Sequence, residues 1–303
     1  MKRLFLILFS MMALLGVHAA AEGDLRIVAT DFPCYDFARA VTGGRAEVTM
    51  LLKPGTEAHS YDPTPADILA ISSADLFVCI GGESDAWAEG ILAGFDGDGP
   101  RVLRMMDAVS DLIEEDGDDG HVHEGDGPEY DEHIWTSPVN AASMVRALGD
   151  ALADIDPEAA ELYRDSADGY AAQILELDGE IRAVVENATH RTLVFADRFP
   201  FVYFTREYSL DYLAAFSSCT ADTEPSAQIV LSLIQMVTSE GIPAVYTIEL
   251  SNQTIARTVA EETGAQILTL HSMQTVSQAE FDAGETYVSL MEKNVGALRE
   301  GLR

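Results

Sequence analysis

Basic residues are scarce in this chain. Only 18 of its 303 residues are lysine or arginine, against 51 aspartate and glutamate residues, so the formal net charge is -33. Lysine occurs only at Lys2, Lys53 and Lys293. A surface of this sign repels phosphate backbones and anionic lipid headgroups. The composition therefore excludes nucleic acids and anionic membrane surfaces as expected partners.

Cysteine is equally rare. The chain has only Cys34, Cys79 and Cys219, and no two of them have Cys-x-x-Cys spacing. Such a set forms neither a disulfide framework nor a zinc ribbon. Cys79 lies in the apolar run Leu76–Ile80, where a thiol is expected to pack as a small apolar side chain. Disulfides and cysteine-ligated zinc are both excluded as the basis of the fold.

The amino terminus has an apolar run, Leu4–Val17, which is shorter than the roughly 20 residues that a transmembrane helix needs. Lys2 and Arg3 precede the run, and Ala19–Ala21 offers a small-residue cleavage site after it. This order predicts a cleaved secretory signal peptide over residues 1–21. No cysteine follows the run as an attachment point for a lipid. We expect the mature protein to be soluble and periplasmic or otherwise extracytoplasmic.

Two blocks of the chain alternate short apolar runs with helical patterns, which is typical of parallel α/β layers. The predicted strands are Leu25–Thr30, Glu47–Leu51, Leu76–Ile80, Arg101–Met105, Thr192–Ala196, Tyr212–Phe216, Ala244–Glu249 and Gln266–Leu270. The predicted helices are Tyr35–Val41, Pro65–Ser73, Ala86–Ala93, Pro225–Glu240, Asn252–Thr263 and Glu285–Leu302. We therefore expect an α/β fold of two lobes, each with a mostly parallel sheet flanked by helices.

A long helical pattern lies between the two blocks. From Tyr163 to Val184, apolar residues recur at steps of three, four or seven and form one stripe. Asp156 is the predicted cap, and Pro157 suits the first helical position. The pattern predicts one long rigid helix within residues 151–190. It would join an amino-terminal lobe, residues 22–150, to a carboxy-terminal lobe, residues 191–303.

One segment, residues 111–132, departs from this organisation. It is rich in aspartate, glutamate and glycine, and it has no lysine or arginine. Such a sequence buries little apolar surface and predicts a mobile, solvated loop. His121 and His123 lie within it, and short histidine-containing tracts are a metal-binding signal. A purely solvated loop and a loop that collects metal weakly both remain open.

Three widely separated histidines lie beside a strand end or a turn: His59, His133 and His271. A neutral imidazole is the commonest transition-metal ligand, and open α/β sheets place their binding groups at strand ends. Asp197 follows the predicted strand Thr192–Ala196. Three imidazoles and one carboxylate would satisfy a tetrahedral ion such as zinc. Each group also has a structural alternative, and Arg198 makes an ordinary ion pair plausible for Asp197.

The first two histidines lie in recognisable motifs. Gly55–Pro65 has the pattern Gly-x-x-x-His-x-Tyr-x-Pro-Thr-Pro, and His133–Pro138 has the pattern His-Ile-Trp-x-Ser-Pro. Over essentially the whole mature chain, the sequence resembles the solute-binding proteins of zinc and manganese ABC importers. This cluster A-I family includes zinc-uptake binding proteins and metal-binding adhesins. The resemblance implies that His59 and His133 are ligands and that the partner is the permease of an ABC importer.

The carboxy-terminal half departs from the family pattern. The family usually has a histidine in a His-Asp-Ala-Phe-Gly-Tyr-like turn, whereas this chain has Ala196-Asp197-Arg198-Phe199-Pro200. The last family ligand, usually an aspartate after the final strand, falls near His271. Glu249, at the end of a predicted strand, is a reserve ligand. The predicted ligand set is therefore His59, His133, His271 and Asp197.

The ligand types favour Zn²⁺ over Mn²⁺, because manganese prefers more oxygen donors. We expect a monomeric, non-catalytic protein that delivers zinc to the permease. A zinc hydrolase is an alternative, since three ligands would leave a position for water. The chain lacks His-Glu-x-x-His, and Gly82–Ala86 lacks the final glycine of a nucleophile elbow. A metal-binding adhesin or buffer without a transport role also remains open.

Overall fold

The structure is a computed structural model that describes residues 25–95, 97, 99–114, 129–216 and 225–303. The predicted signal peptide, Cys219, and most of the acidic loop with His121 and His123 lie outside these residues. None of the described helices combines the length and apolarity that crossing a bilayer requires.

Two parallel four-stranded sheets organise the described chain. The first has the order β2-β1-β3-β4 and consists of β1 (Arg26–Ala29), β2 (Glu47–Met50), β3 (Leu76–Cys79) and β4 (Arg101–Arg104). The second has the order β6-β5-β7-β8 and consists of β5 (Thr192–Phe195), β6 (Asp211–Ala214), β7 (Ala244–Thr247) and β8 (Gln266–Thr269). All eight predicted strands are confirmed, with ends that differ by one or two residues. The predicted α/β class is also confirmed.

Helices flank both sheets. Their bounds are α1 (Phe32–Thr42), α2 (Pro65–Ser72), α3 (Ala86–Leu92), α4 (Pro138–Ile155), α5 (Ala160–Glu186), α6 (Val202–Tyr208), α7 (Ala227–Glu240), α8 (Thr254–Thr263), α9 (Gln278–Ala283) and α10 (Tyr287–Gly301). Three of them, α4, α6 and α9, have no counterpart among the predicted elements. Helices α6 and α9 are too short to show a helical period. Helix α4 does have an apolar stripe, with Ala141, Met144, Val145, Leu148 and Leu152 at steps of three and four, which the prediction from sequence missed.

The long helix between the two sheets is α5. Residues Pro157–Ala159 form a separate 3-10 turn, so α5 begins at Ala160 rather than at Pro157. Asp156 makes no cap; its carboxylate accepts a hydrogen bond from the Tyr163 hydroxyl at 3.0 Å. Helix α5 packs against α1 and α4 and also against α10, which follows the second sheet. The predicted domain limits stay predictions, and α4 runs through the limit predicted at residue 150.

The buried face of α5 joins the two halves in one core. Its buried residues are Tyr163, Ala167, Ala171, Ile174, Leu177, Ile181 and Val185. The same cluster contains Ile27 of the first sheet and Phe195 of the second. A shared core of this kind opposes independent movement of the two sheets, since interiors pack closely and transmit strain.

Hydrogen bonds reinforce this connection close to the motif of His133. The buried Trp135 indole N–H donates to the carbonyl of Ser272 at 2.7 Å, and the Trp135 carbonyl accepts from the Tyr287 hydroxyl at 2.7 Å. The Tyr287 backbone N–H in turn donates to the Asp36 carboxylate at 2.9 Å. These bonds link α1, the His133 segment and the elements that follow β8.

Helices α4 and α5 approach each other closely at Gly149. A Cβ atom at this position would lie 2.6 Å from the Cβ of Ala167 and 3.2 Å from the Tyr163 carbonyl oxygen. Neither neighbour is the flexible end of a long side chain. The contact between the two helices therefore requires glycine.

We predict that Gly149→Ala lowers the free energy of unfolding by about 1–3 kcal/mol, the usual cost of overpacking. Gly169→Ala is the matched control, because a Cβ atom at this position of α5 would meet no neighbouring side chain or element within 4 Å. Removing this exposed helical glycine should stabilise the protein by up to about 1 kcal/mol. Urea unfolding of both variants measures the difference. Equal midpoints would contradict the close packing at Gly149.

Candidate metal centre

The loop that carries His59 is fixed at both ends. Leu51 and Leu52 continue beyond β2 and donate backbone hydrogen bonds to Ala29 and Thr30. Gly55, with φ of 80°, donates to the Val276 carbonyl at 2.7 Å, a conformation that favours glycine. After His59, Thr64 caps α2 in a capping box with Asp67. The ring is thus positioned by a strand, a turn and a helix start.

The contacts of the His59 ring define its tautomer. Nδ1 lies 2.8 Å from the Ser84 hydroxyl oxygen and 3.3 Å from Glu132 Oε1. Because the Ser84 hydroxyl donates to Glu132, it accepts from Nδ1–H of His59. Nε2 lies 3.3 Å from Nε2 of Gln274, and an amide nitrogen is a donor. In this arrangement Nε2 of His59 carries the lone pair that a metal ion could use.

His133 approaches the same place from the segment before α4. It precedes a 3-10 turn at Ile134–Thr136 and is only 3% exposed. Its Nδ1 lies 3.2 Å from Asp131 Oδ1, which also accepts the backbone N–H of His133 at 2.9 Å. The rings of His59 and His133 have centroids 5.5 Å apart. The structure therefore brings together the first two of the predicted ligands.

Glu132 completes a compact group with the two histidines. One potential ligand atom from each of His59, Glu132 and His133 lies within 4.8 Å of the others. Among the described residues, no other set of three histidine, cysteine or acidic side chains meets this distance. Burial alone raises the pKa of Glu132, but bonds from His59 and Ser84 and the charge of His133 outweigh it, so the pKa is about 2. Glu132 is thus an anion within the candidate centre.

His271 lies outside this group. Its backbone N–H donates to Asn294 at 2.7 Å, and its Nδ1 accepts the backbone N–H of Met273 at 2.9 Å. The carboxylates of Glu249 and Glu280 lie 3.6 Å from Nδ1 and Nε2. Burial lowers the pKa of His271, and these two carboxylates outweigh that effect and raise it. The ring therefore faces acidic groups of its own half of the chain.

Asp197 is also outside the group. Its carboxylate accepts from the backbone N–H of Arg198 at 2.9 Å and from the Ser251 hydroxyl. The guanidinium of Arg198 pairs with Glu57 at 2.7 Å, rather than with its neighbour Asp197. The reserve ligand Glu249 accepts from the backbone N–H and hydroxyl of Ser272. In this structure these acidic groups hold turns of the second half.

Two residues of the centre, Glu132 and Gln274, were not among the predicted ligands. Glu132 directly precedes a predicted ligand, and its position beside His133 is the signal that could have identified it. Gln274 is a residue of the second half whose side chain contacts His59. A neutral amide in a loop carries no sequence signal of metal binding.

A cavity of about 30 Å³ adjoins the centre, and its lining includes Asp31, Asp85, Glu132 and Gln274. Burial raises the pKa of Asp31 to about 7, with a further contribution from the charge of Asp85. Burial likewise raises the pKa of Asp85 to about 6. Glu132 and the ionised fraction of Asp31 and Asp85 generate a negative potential that favours a cation at the centre.

Comparison with known proteins identifies the family. The profile of the family described as "Zinc-uptake complex component A periplasmic" matches residues 27–301. The chain belongs to this family. It is 28% identical over 292 residues to the high-affinity zinc uptake system protein ZnuA of Bacillus subtilis, covering 94% of this chain and 90% of that protein.

A further relative, with a solved structure, comes from Streptococcus pneumoniae. The zinc-binding lipoprotein AdcA is 31% identical over 310 residues, which cover 99% of this chain and 61% of that protein. The chain thus spans about 60% of the length of AdcA. The crystal structure of the Zn(II)-bound ZnuA-like domain of AdcA has 29% identity and a TM-score of 0.77, covering 92% of this chain and 99% of that domain.

We predict that Asp31→Asn changes how stability depends on pH in metal-free protein. The folded-state pKa of Asp31 is about 7, against 3.8 as the ordinary value, so the folded state holds this proton more tightly between those values. Its contribution to stability is complete below about pH 4 and is lost as pH rises to about 7. Asparagine retains an acceptor for the Cys34 N–H that Asp31 binds and cannot ionise.

Urea unfolding of both proteins at pH 4 to 8, with chelator present, measures this effect. Between about pH 4 and pH 7, the free energy of unfolding of the variant should rise relative to that of the natural protein by about 2–4 kcal/mol. Parallel pH profiles would contradict a protonated Asp31 beside the centre.

Proposed function

We propose that the protein is an extracytoplasmic, non-catalytic binding protein that captures one Zn²⁺ ion and delivers it to the permease of an ABC importer. The observation that carries the proposal is the largely buried group of His59, Glu132 and His133, in which one potential ligand atom of each residue lies within 4.8 Å of the others. Membership in the zinc-uptake family supports the identity of the ion and the transport role.

The two imidazoles are oriented as metal ligands commonly are. Nδ1 of His59 faces Ser84 and Glu132, and Nδ1 of His133 faces Asp131. A carboxylate behind an imidazole fixes its tautomer and orientation and leaves the other nitrogen for the metal. We therefore assign Nε2 of His59 and Nε2 of His133 to the ion. Glu132 acts either as a direct ligand or through the His59 ring.

The second half of the chain contributes Gln274 to this arrangement. Its amide nitrogen lies 3.3 Å from Nε2 of His59, so rotation of the amide would turn its oxygen toward an ion bound there. For the predicted ligands His271 and Asp197 to reach the same ion, each must leave its present partners. Nε2 of His271 would have to turn away from Glu280, and Asp197 would lose the bond from the Ser251 hydroxyl.

The chemistry of this set favours zinc over manganese and binding over hydrolysis. Two imidazoles suit zinc, whereas manganese prefers oxygen-rich sites. A hydrolase needs an open position for water together with a base or acid that acts on substrate. The carboxylates around this centre are instead bonded to its histidines and backbone N–H groups.

We predict that His59→Ala and His133→Ala each weaken zinc binding by more than about 100-fold, because a lost ligand costs more than a lost outer partner. His190→Ala, which changes a histidine outside the centre, is the control. Competition against a chelating dye measures the affinities, with manganese titrated in parallel. Unchanged zinc affinity in both variants, or tighter manganese binding by the natural protein, would overturn the proposal.

A second series of variants distinguishes the roles of Glu132, His271 and Asp197 in zinc binding. Glu132→Gln should weaken zinc binding by about 10–100-fold if it acts through His59, and more if it is a ligand. His271→Ala and Asp197→Ala should have smaller effects in the arrangement described here. X-ray absorption at the zinc edge should count two imidazoles. If the spectrum shows three imidazole ligands in the natural protein and two in His271→Ala, His271 is a zinc ligand after all.

A further inference from the structure

A groove of about 170 Å³ reaches the ring of His59. Its lining includes Leu250, Glu57 and Arg198, which are 53%, 38% and 33% exposed. His59, whose side chain is only 11% exposed, and Gln274 also line it. The more exposed residues mark the outer end, so an ion that reaches His59 through this groove passes them.

An ion pair crosses this groove. Arg198 donates from a guanidinium nitrogen to Glu57 at 2.7 Å. Glu57 belongs to the loop of His59, which follows β2 of the first sheet, whereas Arg198 follows β5 of the second sheet. The pair therefore joins the two halves of the chain at the approach to the candidate centre.

Both ends of the pair are held by their surroundings. On one side, Asp197 binds the backbone N–H of Arg198 and the hydroxyl of Ser251, which fixes the turn. On the other side, Gly55 donates to Val276 two residues before Glu57. Movement of the two side chains, rather than of their backbones, is thus the simplest way for the pair to open.

Arg198 cannot itself bind the ion. A guanidinium has five N–H donors, has no acceptor and stays charged in proteins. Its charge repels a divalent cation that enters the groove. Arg198 can therefore influence metal binding through its charge or by obstructing the path, but not as a ligand.

We propose that the Arg198–Glu57 pair is a latch across the groove, which opens for zinc to enter or leave and so slows both steps without supplying a ligand. This inference rests on the proposed function of His59. On this proposal, Arg198 and Glu57 control how fast zinc enters and leaves, whereas the residues of the candidate centre determine the zinc affinity.

The test compares Arg198→Gln and Glu57→Gln in otherwise intact protein. Stopped-flow mixing with excess chelating dye gives the zinc release rate, and mixing metal-free protein with zinc gives the entry rate. Arg101→Gln is the matched control, because it breaks the exposed Arg101–Asp154 pair, whose residues do not line the groove. The double variant Arg198→Glu with Glu57→Arg rebuilds the pair with its charges exchanged.

A latch predicts that both single variants speed entry and release by about two- to five-fold, the range expected for one partly exposed ion pair. The dissociation constant should change by less than about two-fold, and the exchanged pair should restore slow rates. If the two variants shift the dissociation constant in opposite directions, the residues act only through their charges and the latch is refuted. Rates equal to those of the control refute it as well.

These outcomes are separable from failure of the proposed function. If the centre does not bind zinc, the natural protein shows no zinc signal at all. If only the latch is wrong, zinc binding and its loss in His59→Ala are intact while the rates stay constant. Should Arg198→Gln fail to fold, Glu57→Gln decides the matter, since its side chain lies in a partly exposed loop.

Discussion

The hydrogen bonds of Trp135 set the relation between the two halves of this protein. The indole N–H binds the carbonyl of Ser272, and the Trp135 carbonyl accepts from Tyr287. Trp135 lies two residues after His133, and Ser272 lies two residues before Gln274. The same residue therefore positions one proposed ligand and the loop that faces the other. A buried carbonyl left without its partner costs about 1–3 kcal/mol of folding free energy. A shift between the halves that breaks these bonds is therefore unfavourable.

Carboxylates act in two ways around the centre. Asp131 and Glu132 lie beside the imidazoles and hold their orientation. Asp31 and Asp85 are buried near the adjoining cavity, where burial raises the pKa of each. Asp131 and Glu132 fix the geometry of the site. Asp31 and Asp85 add negative charge only to the extent that they are ionised. A bound cation therefore favours loss of the protons from Asp31 and Asp85, and their protonation in turn weakens cation binding.

The strands and most of the helices can be predicted from the sequence because each depends on a local pattern of apolar residues. The central strands β1, β3, β5 and β7 are largely buried apolar runs. His59 and His133 follow strand ends or turns that parallel topology brings together. The orientation of His271 depends on Asn294, Glu249 and Glu280, which are distant in sequence and give no local pattern. Glu132 ends an acidic run that resembles a solvated loop, and Gln274 is a neutral side chain. Their roles become visible only when the two halves are placed against each other.

The three clustered groups of the centre all come from the first half of the chain. His59 lies after β2, and Glu132 and His133 are neighbours before α4. Opening the cleft would therefore withdraw Gln274 and leave those three groups together. An ion held in this way would not be set free by separation of the two halves. Its release would require His59, Glu132 and His133 themselves to give up the ion.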